Sequence, residues 1–297
     1  MAAFLSDWRL FFDAYTLAVV QAAVLGLVGV MVIGRGQVFF GAATAQAATL
    51  GVALTMWLAV QIGDEPDSAW RQILTSQWFT MACAVVISIV AAVVIAWGSD
   101  ANSRGGFTAE EVTAWVFAVT GALTILLLSK SPQGMDAIHR LQASRFMAAS
   151  RIDLLLMSVI GVVVMLGAWW NQRPIVLWIS DPIMAAATGM NLGRWTSGIA
   201  VVIGLITGLS IVASGMLYTF GCLVLPAMIA KAGSRNIGTM LFVAPAAGAG
   251  LAIVGLAIAH AGNLPPGQVI VATLSCGLLL TYVGRKIVDA AILLPEA

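Results

Sequence analysis

Residues 78–97 read WFTMACAVVISIVAAVVIAW, an apolar run without one charged side chain. A helix needs about 20 apolar residues to cross the hydrocarbon of a bilayer. Trp78–Trp97 meets that length. Eight further runs of the same kind surround it: Tyr15–Ile33, Val38–Ile62, Val112–Leu128, Leu154–Trp170, Thr196–Ser214, Gly215–Ala230, Ile237–Ala261 and Gly267–Val283. The sixth and seventh abut, so Gly215 is expected to mark the turn between them. Pro226 is expected to kink or shorten the seventh. The fold class that follows is all-α, a polytopic transmembrane helical bundle of about nine spans. No polar stretch is long enough to bury a core of its own, so residues 1–297 read as one transmembrane domain.

Composition supports this class. Of 297 residues, 61% are hydrophobic and 9% are charged, with a mean hydropathy of +1.00. A soluble domain carries roughly 25% charged residues, and a soluble surface cannot be assembled from so few. The net charge of +1 supplies no basic face, which argues against a nucleic-acid partner. Cys83, Cys222 and Cys276 each lie in an apolar run without metal-type spacing and read as small buried side chains. Asp7, Arg9 and Asp13 interrupt the first stretch, so no signal peptide is expected.

Three connections are long. Gly63–Gln77 is acidic, with Asp64, Glu65 and Asp67 against Arg71; Ser129–Asp153 is basic, with Lys130, Arg140, Arg145 and Arg151. Asn171–Trp195 is mixed. If nine spans alternate, Arg35, Arg104, Arg173, Arg194, Lys231, Arg235, Arg285 and Lys286 share one side. Arg9, Arg71, Lys130, Arg140, Arg145 and Arg151 share the other. Basic turns favour the cytoplasm, so the majority places the C-terminus inside. Small residues crowd Leu25–Val30 and Ala244–Ala249, with Gly250 and Gly255 following. Faces of that kind let helices pack closely in lipid.

No catalytic set stands out. His139 and His260 are far apart in sequence, and no phosphate-cradling G-x-x-x-x-G-K loop occurs. The chain is therefore expected not to be an enzyme. Polar residues inside spans are the better clue, because each needs a partner or a cavity in hydrocarbon. Thr44, Gln46 and Thr49 lie in the second span, and His260 and Asn263 at the end of the eighth, before Leu264-Pro265-Pro266-Gly267. These five are the candidate substrate-pathway residues; helix–helix hydrogen bonds or an interfacial turn would account for them equally well. Asp181-Pro182 opens a short helix, Asp181–Met190, through a carboxylate cap and a proline at the first helical position. Gly189 or Asn191 can end it. An amphipathic helix between two spans suits docking by a soluble partner or lying on the membrane surface.

Four stretches, in order along nearly the whole chain, resemble the ABC-3 family, the permease subunits of ABC transporters for zinc, manganese or iron. They are Leu25–Arg35 running into Phe40–Ala53, Ser180-Asp181-Pro182 with Ala185 to Gly189, Gly221–Ala230 around Pro226, and Asn263–Gly267. The resemblance implies a type II ABC importer-like permease in a bacterial inner (plasma) membrane. It implies a cytoplasmic ABC ATPase, an extracytoplasmic metal-binding protein, and a second permease copy or a related permease chain. It also implies that ATP belongs to the partner subunit, with no cofactor in this chain. Asp181, Pro182, Ala185, Ala186 and Gly189 then fall on the ATPase-coupling segment, which sets Ser129–Asp153 outside. The family's Asp and His at the start of the second span read Ala42 and Gln46 here, and its Asp before Pro-x-Gly reads Asn263. A partner chain supplying the missing ligands would preserve metal uptake. A metal chelate or small organic solute as cargo, or a non-transporting membrane scaffold, are the alternatives.

Overall fold

The computed structural model describes residues 11–62, 73–74, 76–98, 107–129 and 150–292, side chains of 62 and 288–292 aside. Within them the chain forms α1 (Phe12–Gly34), α2 (Val38–Ile62), α3 (Gln77–Gly98), α4 (Ala109–Ser129) and α5 (Arg151–Trp170). Two short helices follow, α6 (Gln172–Ser180) and α7 (Pro182–Ala187). The chain then continues through α8 (Leu192–Ser214), α9 (Met216–Gly233), α10 (Ile237–Gly262) and α11 (Pro266–Ile292). Among the described residues nine helices, all but α6 and α7, are long and apolar enough to span a membrane. Most of the acidic loop after α2, and Arg9, Arg104, Lys130, His139, Arg140 and Arg145, lie outside the described residues.

Helix α1 is the core of the bundle. It packs chiefly on α9 and α10, while α2 packs on α3 and α4, and α3 on α8. Leu17, Ala18, Gln21, Ala22, Leu25 and Val28 of α1 are all fully buried. Lipid solvates apolar side chains as well as another helix does, so close backbone contact must hold such a bundle. Glycines permit it. A methyl group on Gly26 would lie 2.9 Å from the Ala244 carbonyl oxygen of α10, and one on Gly248 would lie 2.5 Å from that of Ala22. One on Gly29 would overlap the Leu223 carbonyl of α9. The same device joins α2 to α3 at Gly51, where a methyl group would lie 2.6 Å from Ala84 Cα, and α8 to α3 at Gly204, where one would lie 2.6 Å from Ile89 Cα.

Gly215 (φ +86) turns the chain between α8 and α9, as its place between two abutting spans suggests. Pro226 does not break α9, which continues seven residues further to Gly233 and still counts as a span. Its ring side packs instead against α1, with its Cβ 3.2 Å from the methyl position of Gly26. The segment 171–195 also differs from expectation. It holds two short helices rather than one, and α8 begins at Leu192 instead of Thr196. Asn191 caps α8 by accepting from the Arg194 amide at 3.1 Å.

Alternation of the spans gives the bundle two ends. At one, Arg151 meets Asp13 at 3.3 Å, and Gln77 donates to Asp153 at 2.7 Å. Asp153 also closes a capping box with Ser150. The other end holds α6, α7, Arg35, Arg173, Arg194, Lys231, Arg235, Arg285 and Lys286. Replacing Gly204 with Leu should cost about 1–3 kcal/mol through overpacking against the α3 backbone. It should lower the thermal midpoint in detergent, whereas Gly250→Ala, with nothing within 4 Å of its methyl position, should not.

Candidate functional site

The second span supplies most of the candidate pathway. Thr44 is fully buried, and its hydroxyl donates to the Phe40 and Gly41 carbonyls of its own helix at 3.0 and 3.1 Å. Thr49 does likewise toward Ala45, at 3.0 Å. Both hydroxyls thus satisfy themselves in the preceding turn. The Thr44 carbonyl accepts from Ser88 of α3 at 3.2 Å, and the Ser88 hydroxyl lies 2.9 Å from that of Thr207 on α8. A polar seam therefore ties α2, α3 and α8 through the middle of the bundle.

Gln46 is different. It is half-buried and lies over Gly121 of α4, where a methyl group would sit 3.6 Å from its Nε2. Ala42 stands one turn earlier on the same face of α2 and is 8% exposed. His260 is half-buried in the last turn of α10, and Asn263 is exposed just beyond it. Asn263 adopts a left-handed conformation (φ 49) that ends α10, a position where Asn is tolerated. The principal neighbours of α10 are α1, α9 and α11, those of α2 are α3, α4 and α8. The fold thus places Ala42 and Gln46 together and sets His260 and Asn263 in another helix group. Among the described residues no three His, Cys, Asp or Glu side chains gather closely enough to hold a metal ion.

The coupling candidates gather at the opposite end of α1 from Asp13. Asp181 accepts from the Ile183 and Met184 amides at 3.0 and 2.9 Å and so caps α7, with Pro182 as its first residue. Ala185 is fully buried, whereas Ala186 and Gly189 are exposed. Gly189 (φ +84) ends the helix, its amide donating to Ala186 at 3.0 Å. Helix α6 turns Ile175, Trp178 and Ile179 inward. Ile179 packs on Gly34 at the end of α1. The Arg35 guanidinium lies over the Trp178 ring, 4.4 Å from its centroid. Trp178 in turn donates its indole N–H to Thr196 of α8 at 3.1 Å. The α6–α7 hairpin is thereby fixed to both α1 and α8.

Two features were not singled out from sequence. Gln21, inside α1, is fully buried, and neither of its amide atoms has a hydrogen-bond partner. The rule that selected Gln46, a polar residue within a span, would also have selected Gln21. The Arg35–Trp178 contact joins distant parts of the chain and leaves no local pattern.

A bundle of membrane-length helices, with a capped helix pair secured to its central helix, defines an integral membrane protein. The chain belongs to the ABC 3 transport family, whose model matches residues 7–284. It is similar to the manganese import system permease protein ScaB of Streptococcus gordonii, at 24% identity over 94% of this chain and 92% of that protein. It is also similar to the manganese transport system membrane protein MntC of Listeria monocytogenes, at 24% identity over 86% of this chain and 85% of that protein. Among solved structures, a chain of PsaBC from Streptococcus pneumoniae in complex with Fab shares the fold. It aligns with a TM-score of 0.75 and 22% identity over 95% of each chain. The chain is a membrane-spanning permease subunit of an ABC transporter in the bacterial plasma membrane.

The site geometry has one direct consequence. Ala42→Asp with Gln46→His places a carboxylate and an imidazole one turn apart, a pairing suited to a divalent cation. Isothermal titration of the purified double variant with manganese or zinc should show binding that the unchanged chain lacks at this position.

Proposed function

We propose that this chain forms part of the path for ATP-driven uptake of a divalent metal ion, with manganese, the cargo named for its relatives, as the first candidate. The α6–α7 hairpin is the observation that carries this reading. It is a capped, partly exposed helix pair seated on the most buried span, at the end of the bundle richest in basic residues. A soluble ATPase pressing on α7 would move α1 directly. ATP binds and is hydrolysed on that partner, and this chain contributes no nucleotide site. The hairpin end faces the cytoplasm, and a metal-binding protein delivers cargo at the end marked by Asp13 and Asp153.

The neutral pair Ala42 and Gln46 shapes the rest. An amide oxygen is a feeble ligand beside a carboxylate. The pathway therefore takes its charged ligands from a second, related permease chain, and the functional unit is a heterodimer. The same neutrality favours one alternative, in which the cargo crosses as a metal chelate or small organic solute that needs no bare-ion site. The specificity of the binding protein that works with this chain separates the two.

Cells lacking this chain and any paralogue should lose high-affinity manganese accumulation, and restoring it should require this chain, its partner permease and the ATPase together. Ala186→Pro removes a backbone donor from α7 and should uncouple transport from hydrolysis while leaving insertion and expression intact. ATP-driven uptake at the unchanged rate in that variant would remove α7 from the mechanism.

A further inference from the structure

Beside the α6–α7 hairpin lies a partly open cavity of about 230 Å³, whose walls include Arg35, Gln37, Trp97, Trp178, Pro182 and Thr196. Ligand pockets for drug-sized molecules measure roughly 300–1,000 Å³. This one suits a single inserted side chain. Residues of α1, α2, α3, α6, α7 and α8 wall it. Among the described residues its walls hold no carboxylate.

Arg35 dominates the cavity. Trp178 covers one face of its guanidinium, and Trp178 is itself fixed by Thr196. The stack holds the planar fork in place while its edge donors enter no hydrogen bond or ion pair within the described chain. Burial pushes the Arg35 guanidinium below its ordinary value, yet a guanidinium keeps its charge in proteins. A charge that is partly desolvated and unpaired is unfavourable, and closing the cavity over it would be more so. Pro182, the first residue of α7, forms part of the rim. A protein seated on α7 at Pro182 would therefore touch a wall of the cavity that holds Arg35.

We propose that this cavity receives a carboxylate side chain of the ATPase subunit docked on α7, paired with the in-plane donors of Arg35. The inference rests on the reading of α7 as the docking segment and adds the chemistry of the contact. A carboxylate matches the guanidinium fork in two parallel hydrogen bonds. Its formation on docking would link the ATPase to the C-terminal end of α1 without relying on α7 alone.

The test uses the assembled transporter in lipid, with the wild-type chain, Arg35→Lys and Arg35→Gln. Association of the ATPase with the wild-type chain checks the docking reading separately. Given that association, carbodiimide treatment of the Arg35→Lys complex should form an amide between the introduced amine and the ATPase carboxylate, the lost water passing to the carbodiimide as its urea. Peptide mapping should place a cross-link at position 35 in that variant and in neither the wild type nor Arg35→Gln, whose Lys231 and Lys286 remain as amines elsewhere on this end of the bundle. The Arg35→Gln chain should bind the ATPase on the order of tenfold more weakly, with a smaller dependence on salt. An Arg35→Lys complex that assembles and hydrolyses ATP but gives no cross-link at position 35 overturns the proposal. So does an adduct with phosphatidylserine, or loss of a bound anionic phospholipid from Arg35→Gln with ATPase affinity unchanged; both would assign the cavity to lipid. A wild-type chain that binds no ATPase would overturn the docking reading and this inference with it.

Discussion

The close approach of α1 to α9 and α10 is the contact on which the rest of the bundle depends. In water the hydrophobic effect would drive these apolar helices together; in lipid it does not, and fit between backbones has to do so. Gly26 and Gly29 on α1, and Gly248 on α10, remove the side chains that would keep the helices apart. The result is a first span that is buried on nearly every side, with α5 and α11 left mostly to lipid. The close contacts at Gly51 and Gly204 repeat the device and bring α3 into line with α2 and α8.

Burying α1 gives its two ends different work. One end is tied by Asp13 to Arg151. The other emerges beneath the α6–α7 hairpin, where Gly34 meets Ile179 and Arg35 stacks on Trp178. Force applied to the hairpin therefore reaches a helix that touches most of the bundle. The polar seam of Thr44, Ser88 and Thr207 joins α2, which carries Ala42 and Gln46, to α3 and α8, and α8 is tied to the hairpin through Thr196. Packed interiors shift between discrete arrangements rather than deforming smoothly, and these contacts supply a continuous path along which such a shift can pass.

The spans were legible in the sequence because each is a local property of length and polarity. The Gly215 turn and the Asp181 cap were legible for the same reason, since both are set by residues within a turn of each other. Helix α6 was not. Its apolar stripe of Ile175, Trp178 and Ile179 is short and is diluted by Gln172 and Arg173 in any window long enough to find a span. The early start of α8 was hidden by Arg194 and Trp195, which look like loop residues until Asn191 is seen capping them. Pro226 points to a kinked or shortened span, whereas α9 runs on to Gly233 with Pro226 inside it and packed against α1. Gln46 drew attention as a polar residue inside a span, whereas Ala42 acquired meaning only through a family resemblance, because an alanine has no chemistry that would mark it. The cavity at Arg35 depends on six helices meeting, which no local pattern encodes.

On the proposed mechanism a divalent ion crosses this bundle on ATP hydrolysis by a partner. Manganese accumulation in proteoliposomes holding the complete transporter tests it most directly, with the binding protein and manganese outside and ATP in the lumen. Accumulation against a gradient should follow hydrolysis and stop when a non-hydrolysable nucleotide replaces ATP. Steady hydrolysis with manganese remaining outside, while a manganese chelate or an organic solute accumulates, would contradict it.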